Sequence, residues 1–104
     1  MREKNRYLVL EIISESKKFN KKAVQGALWN SAFAFLGEAG VARTSLWFVD
    51  WNEEKQRGIV KVNRGAVKEI RASIALINKI EGQAVIPQVL GISGTIKAAR
   101  RKWM

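Results

Sequence analysis

The chain contains no cysteine and no histidine. The first absence excludes disulfides and thiol nucleophiles, and the two together exclude ordinary zinc sites. The second also removes imidazole, the commonest general base near neutral pH. Carboxylates or an activated water are left for chemistry, but no arrangement of them stands out. Proline occurs once, and there is no internal repeat or low-complexity tract. No apolar run is long enough to span a bilayer, and the opening "MREKNRYLVLEIISESKKF" lacks a small-residue cleavage site. The expectation is a cytoplasmic protein that stays where it is made, away from membranes.

Acidic residues are scarce as well. Nine Asp and Glu stand against 19 Lys and Arg, for a net charge of +10. The imbalance is uneven: residues 1–52 hold 8 cations and 5 anions, and residues 53–104 hold 11 and 4. A field of that sign attracts polyanions, of which RNA and DNA are the usual ones. The 104 residues, 47% of them apolar, suit one domain over 1–104 with one core.

Periodicity gives the order of elements. "RYLVLEIIS" (Arg6 to Ser14) is short and rich in β-formers, so it reads as a strand. Asn20 is placed to cap a helix in which Val24, Ala27, Leu28, Ser31 and Phe35 recur at helical spacing. Gly37 or Gly40 can end that helix. "TSLWFVDW" and "IVKVN" flank the turn "NEEKQRG" as a hairpin. Val67, Ile70, Ile74 and Ile77 mark a second amphipathic helix, stopped by Gly82. "QAVIPQVLGIS" is the last strand, and its proline favours a sheet edge or a bulge. Thr95 caps a short basic helix over about 95–104. The expected class is α+β: a ferredoxin-like βαββαβ two-layer sandwich with a four-stranded antiparallel sheet and an extra C-terminal helix.

Domains of this fold that recognise RNA stack bases on aromatics of the central strands. Here "RGIVKVN" (Arg57 to Asn63) has the Arg-Gly start but no aromatic at those positions. Trp47 and Trp51 lie on one face of the second strand, where they can stack bases instead, though packing of a core or a partner is the favoured reading. "AVQGALWN" (Ala23 to Asn30) resembles the phosphate loop of acylphosphatases at Val24, Gln25 and Gly26. It has Asn30 where that family has an arginine and Lys22 where it has a glycine. Such a cradle lacks its main charge-assisted contact, so an acylphosphatase-like hydrolase is a remote alternative.

The cations fall into three groups. Lys17, Lys18, Lys21 and Lys22 surround the start of the first helix, where free N–H groups and the dipole also favour phosphate. Arg57, Lys61 and Arg64 line the third strand and its exit. Lys97, Arg100, Arg101 and Lys102 form the tail, with Lys97 and Arg101 as repelling i,i+4 neighbours that a polyanion would neutralise. Ser93, Gly94 and Thr95 offer backbone N–H groups to a phosphate at the last helix start. Both faces of the strands are largely apolar, which predicts a protein partner on the face the two long helices leave open. Tyr7, Val9, Trp47, Trp51 and Trp103 are the candidate contacts.

"LGISGTIKAARRK" (Leu90 to Lys102) resembles the closing motif of archaeal ribonuclease P protein component 2. "FNKKAVQGALWNSAFAFLGEAGVARTSLWFVDWNEEKQRGIVKVNR" (Phe19 to Arg64) resembles that family's first helix, its Leu-Gly-Glu-x-Gly turn and its central hairpin. "VKEIRASIALINKIEGQAVIPQVLG" (Val67 to Gly91) is similar to its second helix and last strand. The resemblance runs in order from about Arg6. It implies a non-catalytic subunit of the enzyme that removes the 5′ leader of precursor tRNA, with the active site and its magnesium carried by RNA. It implies no cofactor or metal on the protein itself. It also implies contact with ribonuclease P RNA, indirect contact with precursor tRNA, pairing with the TIM-barrel-like component 3, and self-association giving two copies of each. Another basic RNA-binding ribonucleoprotein subunit of the same fold is the alternative.

Overall fold

A strand that is apolar on both faces needs cover on both sides, and the first strand sets the architecture for that reason. The computed structural model describes residues 4–15 and 17–104. Met1–Glu3 and Ser16, part of the stretch read above for a leader, lie outside the described residues. Strand β1 (Asn5–Ile13) occupies the interior of a four-stranded sheet, between β3 (Arg57–Asn63) and β6 (Ile86–Ser93), with β2 (Trp47–Asn52) on the far edge of β3. All neighbouring pairs are antiparallel. Helices α1 (Lys21–Thr44) and α2 (Val67–Ala75) cover one face, and the short α3 (Ile96–Trp103) lies on the other. This is the expected ferredoxin-like order, and Pro87 sits on an edge strand as its missing N–H requires.

The larger core joins Leu8, Leu10, Ile12, Phe48, Val60 and Val62 of the sheet to Val24, Leu28 and Ala32 of α1 and Ile70 and Ile74 of α2. The smaller one lies under α3, where Val9, Ile59 and Ala99 are fully buried and Tyr7, Val49, Leu90 and Trp103 pack around them. Two caps foreseen in the sequence form: the side-chain oxygen of Asn20 accepts from the Ala23 N–H at 2.9 Å, and that of Thr95 from the Ala98 N–H at 3.1 Å.

Several elements depart from the sequence reading. Gly37 interrupts α1 with φ 73°, but the chain resumes helical geometry and ends only at Thr44, with Ser45 in the left-handed region. Phe35, placed on the buried stripe by its spacing, is 50% exposed, and Ala32 takes the inward position instead. Helix α2 stops at Ala75, well before Gly82. Gly82 instead serves a small ribbon of β4 (Lys79–Ile80) and β5 (Gln83–Ala84). Its turn, Glu81-Gly82, has positive φ at both positions, as a two-residue type I′ hairpin requires. The last strand of the main sheet is therefore shorter than "QAVIPQVLGIS" suggests.

The most consequential departure is in β2. Phe48 pairs with Val60 but Asp50 pairs with Ile59, so Val49 is an extra residue in a bulge. A bulge of one residue reverses the alternation beyond it. Trp47 and Trp51 consequently lie on opposite faces of the sheet, not on one. Trp51 turns into the larger core, its ring tilted against Phe48 and its indole N–H donating to the Phe19 carbonyl at 3.0 Å.

Gly91 fixes where α3 lies. A Cβ placed there would fall 2.0 Å from the Trp103 ring, so the indole rests on bare backbone. Gly91→Ala is expected to destabilise the fold by about 1–3 kcal/mol through overpacking. In a Trp103→Ala background most of that penalty should vanish. Urea unfolding of the four proteins of this double-mutant cycle measures the coupling. Additive effects would contradict the contact.

Candidate nucleic-acid interface

The cations differ in how far they are already engaged. On α3 the helical period turns Ala99 and Trp103 toward the sheet, so Lys97, Arg100, Arg101 and Lys102 all face solvent. Arg100 reaches Asp50, with its Nε 3.3 Å from the carboxylate. Lys102 Nζ lies 5.4 Å from the centre of the Trp103 ring. The start of the helix is already partly satisfied. Thr95 caps Ala98, and the Thr95 N–H itself donates to Ser93 Oγ at 3.3 Å. Of the backbone donors foreseen at Ser93, Gly94 and Thr95, the Thr95 N–H is therefore taken by a neighbouring hydroxyl.

Around the start of α1, Lys17, Lys18, Lys21 and Lys22 are exposed, and the first turn holds no acid. Lys17 is held by Glu81 at 3.0 Å and lies over the Phe19 ring. Both members of that pair are about half exposed, so its net stabilisation is small. The adjoining depression, about 440 Å³, is lined by Glu11 and Glu15 as well as Lys17, Lys18 and Lys55. That mixture makes it a poor anion pocket.

Arg57 stands apart from its group. Its Nε donates to Glu11 at 2.9 Å and its Nη1 to the Trp103 carbonyl at 3.0 Å. Lys55 donates to the Met104 carbonyl at 2.7 Å. The two side chains satisfy carbonyls at the C-terminal end of α3, where cations also complement the helix dipole. Arg57 thus anchors α3, and much of its donor capacity is spent inside the molecule. Lys61 and Arg64 are not tied in this way. Lys61 lies in β3 between Tyr7 of β1 and Trp47 of β2, and Arg64 is exposed in a 3₁₀ turn (Arg64–Ala66).

The proposed protein contacts also separate. Val9 is fully buried beneath α3 and is closed to a partner in this arrangement. Trp51 is in the other core, and Tyr7 and Trp103 are half-buried around α3. Only Trp47 is open, at 62% exposure. The short helix covers more of the second face than its length suggests, because it crosses the sheet over its central strands. Other large apolar side chains open to solvent lie elsewhere. Phe33, Phe35 and Leu76 are on the helical layer, and Ile13 faces Ile86 across β1 and β6.

Val24, Gln25 and Gly26 sit inside α1, not in a loop before a helix, so the acylphosphatase-like cradle has no loop to form it. Among the described residues no group of three or more Asp, Glu, His or Cys could hold a metal. No helix among them is long and apolar enough to cross a membrane.

Sequence reasoning missed Gln56. Its buried amide accepts from the Phe19 N–H at 2.9 Å and donates to the Phe19 and Glu53 carbonyls at 3.0 and 2.7 Å. It ties the β2–β3 turn to the residue just before the Asn20 cap, and so positions the lysines around α1. Only a side-chain amide both accepts and donates in this manner, but in sequence Gln56 looks like any polar turn residue. Gln56→Ala is expected to cost about 1–3 kcal/mol by orphaning buried backbone groups. It should also speed hydrogen exchange across residues 17–22. Unchanged exchange there would show that the amide does not hold that segment.

The chain is similar in sequence and fold to known proteins. The profile of the Rpp14/Pop5 family matches residues 6–104. The chain is 39% identical to "Ribonuclease P protein component 2" of Thermococcus kodakarensis over 104 residues, which is 100% of this chain and 86% of that protein. It is 38% identical to the protein of the same name from Pyrococcus furiosus, with the same 100% and 86% coverage. For Methanococcus maripaludis the identity is 33%, covering 100% of this chain and 78% of that protein. Among solved structures, a chain of a cryo-EM structure of yeast ribonuclease MRP superposes with TM-score 0.71 at 14% identity. The match covers 91% of this chain and 77% of that one, and shows a shared fold.

Proposed function

We infer, since the chain belongs to the Rpp14/Pop5 family, that it is a non-catalytic protein subunit of an archaeal-type ribonuclease P. In this reading it binds and supports the RNA that removes the 5′ leader of precursor tRNA. The observation that carries it is the exposed face of α3, where Lys97, Arg101 and Lys102 point outward and, among the described residues, only Arg100 of the four is paired with an acid. Like charges so close cost a few tenths of a kcal/mol on a free helix, and an RNA backbone removes that cost. Neutralising phosphates releases condensed counterions, which gives both affinity and salt dependence. Cleavage and its magnesium belong to the RNA in this reading, and the protein contributes charge where RNA segments pack together. Precursor tRNA is contacted only indirectly.

A partner reading accompanies it. The apolar surface left open favours contacts on the helical layer, around Phe33, Phe35 and Leu76. A depression of about 440 Å³ lies beside them, lined in part by Ala34, Phe35, Leu76 and Ile77. Component 3 and a second copy of this chain are the proposed occupants, with two copies of each in the assembly.

The decisive experiment tags the full chain in its native cells and sequences the RNA that co-purifies. Ribonuclease P RNA should dominate, and enrichment of ribosomal or other small RNA instead would favour a different ribonucleoprotein. In purified form, changing Lys97, Arg101 and Lys102 to Ala should weaken RNA binding. It should also flatten the log–log salt dependence by about 0.7–0.9 per lost phosphate contact. An unaltered slope would mean that the α3 cations are only solvated. Replacing Phe35 and Leu76 by Glu should leave the melting temperature nearly unchanged, because both are exposed. It should reduce self-association, or binding to component 3, in sedimentation velocity. Full association by that variant would put the protein interface elsewhere.

A further inference from the structure

Four residues form a row across the whole sheet. Trp47 pairs with Lys61, Lys61 with Tyr7, and Tyr7 with Ser93, so each is the direct cross-strand neighbour of the next. Strands lie about 4.8 Å apart, which makes the row about 14 Å long. It lies on the face that carries α3. The helix begins just after Ser93 but runs away from the row, since Arg57 and Lys55 hold its far end. The β2 end of the row is thereby left open. Trp47 is the most exposed large apolar side chain among the described residues, at 62%.

The charge around the row is one-sided. The segments level with the row, 4–8, 45–48, 60–64 and 92–97, contain Lys4, Arg6, Lys61, Arg64 and Lys97 and no Asp or Glu. Of the acids among the described residues of the sheet and its hairpin, Glu11, Glu53 and Glu54 lie toward the hairpin end, and Asp50, opposite Ile59, is the next residue on this face beyond the row. Two of them are already paired, Glu11 with Arg57 and Asp50 with Arg100. An open indole beside a lysine, with cations around it and the nearest acid on that face among the described residues, Asp50, already held by Arg100, matches a ligand that has both a flat π-face and a negative charge. An unpaired nucleotide has both, because every base offers a stacking face and every linkage a phosphate.

We propose that the Trp47–Lys61–Tyr7 row is a stacking platform for unpaired RNA nucleotides. A base lies on the Trp47 indole, and the flanking phosphates are met by Lys61 and by the cations at that end of the sheet. The proposal rests on the RNA-binding reading above and deepens it. The platform is displaced from the central strands to the edge strand β2. The third strand carries Lys61 where RNA-recognition domains place an aromatic, and α3 occupies the centre of the face.

The test uses the full chain and two fluorescein-labelled RNAs. One is an eight-nucleotide oligouridine, and the other is the same length with its central bases replaced by abasic ribose. Both carry the same phosphates, so a difference in affinity reports the bases. Anisotropy titrations at one fixed salt concentration should give about tenfold tighter binding to the oligouridine. Trp47→Ala should abolish that preference while keeping the salt dependence, and Trp47→Phe should retain most of it. Lys61→Gln should weaken both RNAs. Trp47 is exposed, so circular dichroism and melting temperature should confirm that the variants fold. Equal binding of both RNAs by the wild type, or an undiminished preference in Trp47→Ala, would overturn the platform and leave RNA binding intact. Failure of the wild type to bind either RNA at low salt would overturn the RNA-binding reading and the platform with it. Loss of self-association in Trp47→Ala with unchanged RNA binding would make this surface a protein contact, and would overturn the proposal as well.

Discussion

The indole of Trp103 lies directly on the backbone of Gly91, in space that no side chain could share. That close approach lets α3 sit low enough to seal Val9 and Ile59, the residues of β1 and β3 that point away from the long helices. Without it the central strand would expose one of its two apolar faces. The hold is completed by polar contacts at the helix end. Arg57 and Lys55 donate to its terminal carbonyls, and Arg100 meets Asp50. Because the small and aromatic residues of α3 are turned inward, its cations can only point outward. The same docking that buries the second core therefore displays the charge.

The few acids of the chain are used with economy. Glu11 and Asp50 each take one arginine near the hairpin end of the sheet, and Glu81 takes Lys17. The arginines so engaged stabilise the position of α3. The strand ends opposite, where Asn5 pairs with Asn63 and the Lys4 carbonyl accepts from the Arg64 N–H, have no acid among the described residues. The sheet is thus electrically polarised along its strands. A protein of net charge +10 can keep some cations for its own architecture and leave others for a polyanion.

Much of this architecture was legible in the sequence because it depends on local signals. Asn20 and Thr95 cap helices, the hairpin around "NEEKQRG" forms, and Pro87 marks an edge. What could not be read depends on register or on distant partners. The spacing of Trp47 and Trp51 implies a shared face, but one slipped hydrogen-bonded pair at Val49 sends them to opposite sides. Gly37 looks like a helix stop, but it is a break after which the helix continues. The cations could be seen as a set, though not sorted. Arg57 is committed to Glu11 because the two are paired across strands, whereas Lys61, four residues on, is left beside two aromatics. Nothing local distinguishes those two positions.

The interior position of β1 also bears on how the chain is made. The strand's partner on one side, β6, begins at Ile86, which pairs with Ile13 and so follows it by about seventy residues. At synthesis rates of about 5–20 residues per second, that edge stays unpaired for roughly four to fifteen seconds after it emerges. During this interval "YLVLEII" is an apolar strand with open hydrogen-bonding groups, the kind of segment that seeks other chains. Pairing so distant in sequence also slows folding, since the loop must close before any contact offsets its entropy. The arrangement that makes the finished sheet secure leaves the nascent chain dependent on its last strand, and a ribosome that stalls before Ile86 would hold out an unfinished edge.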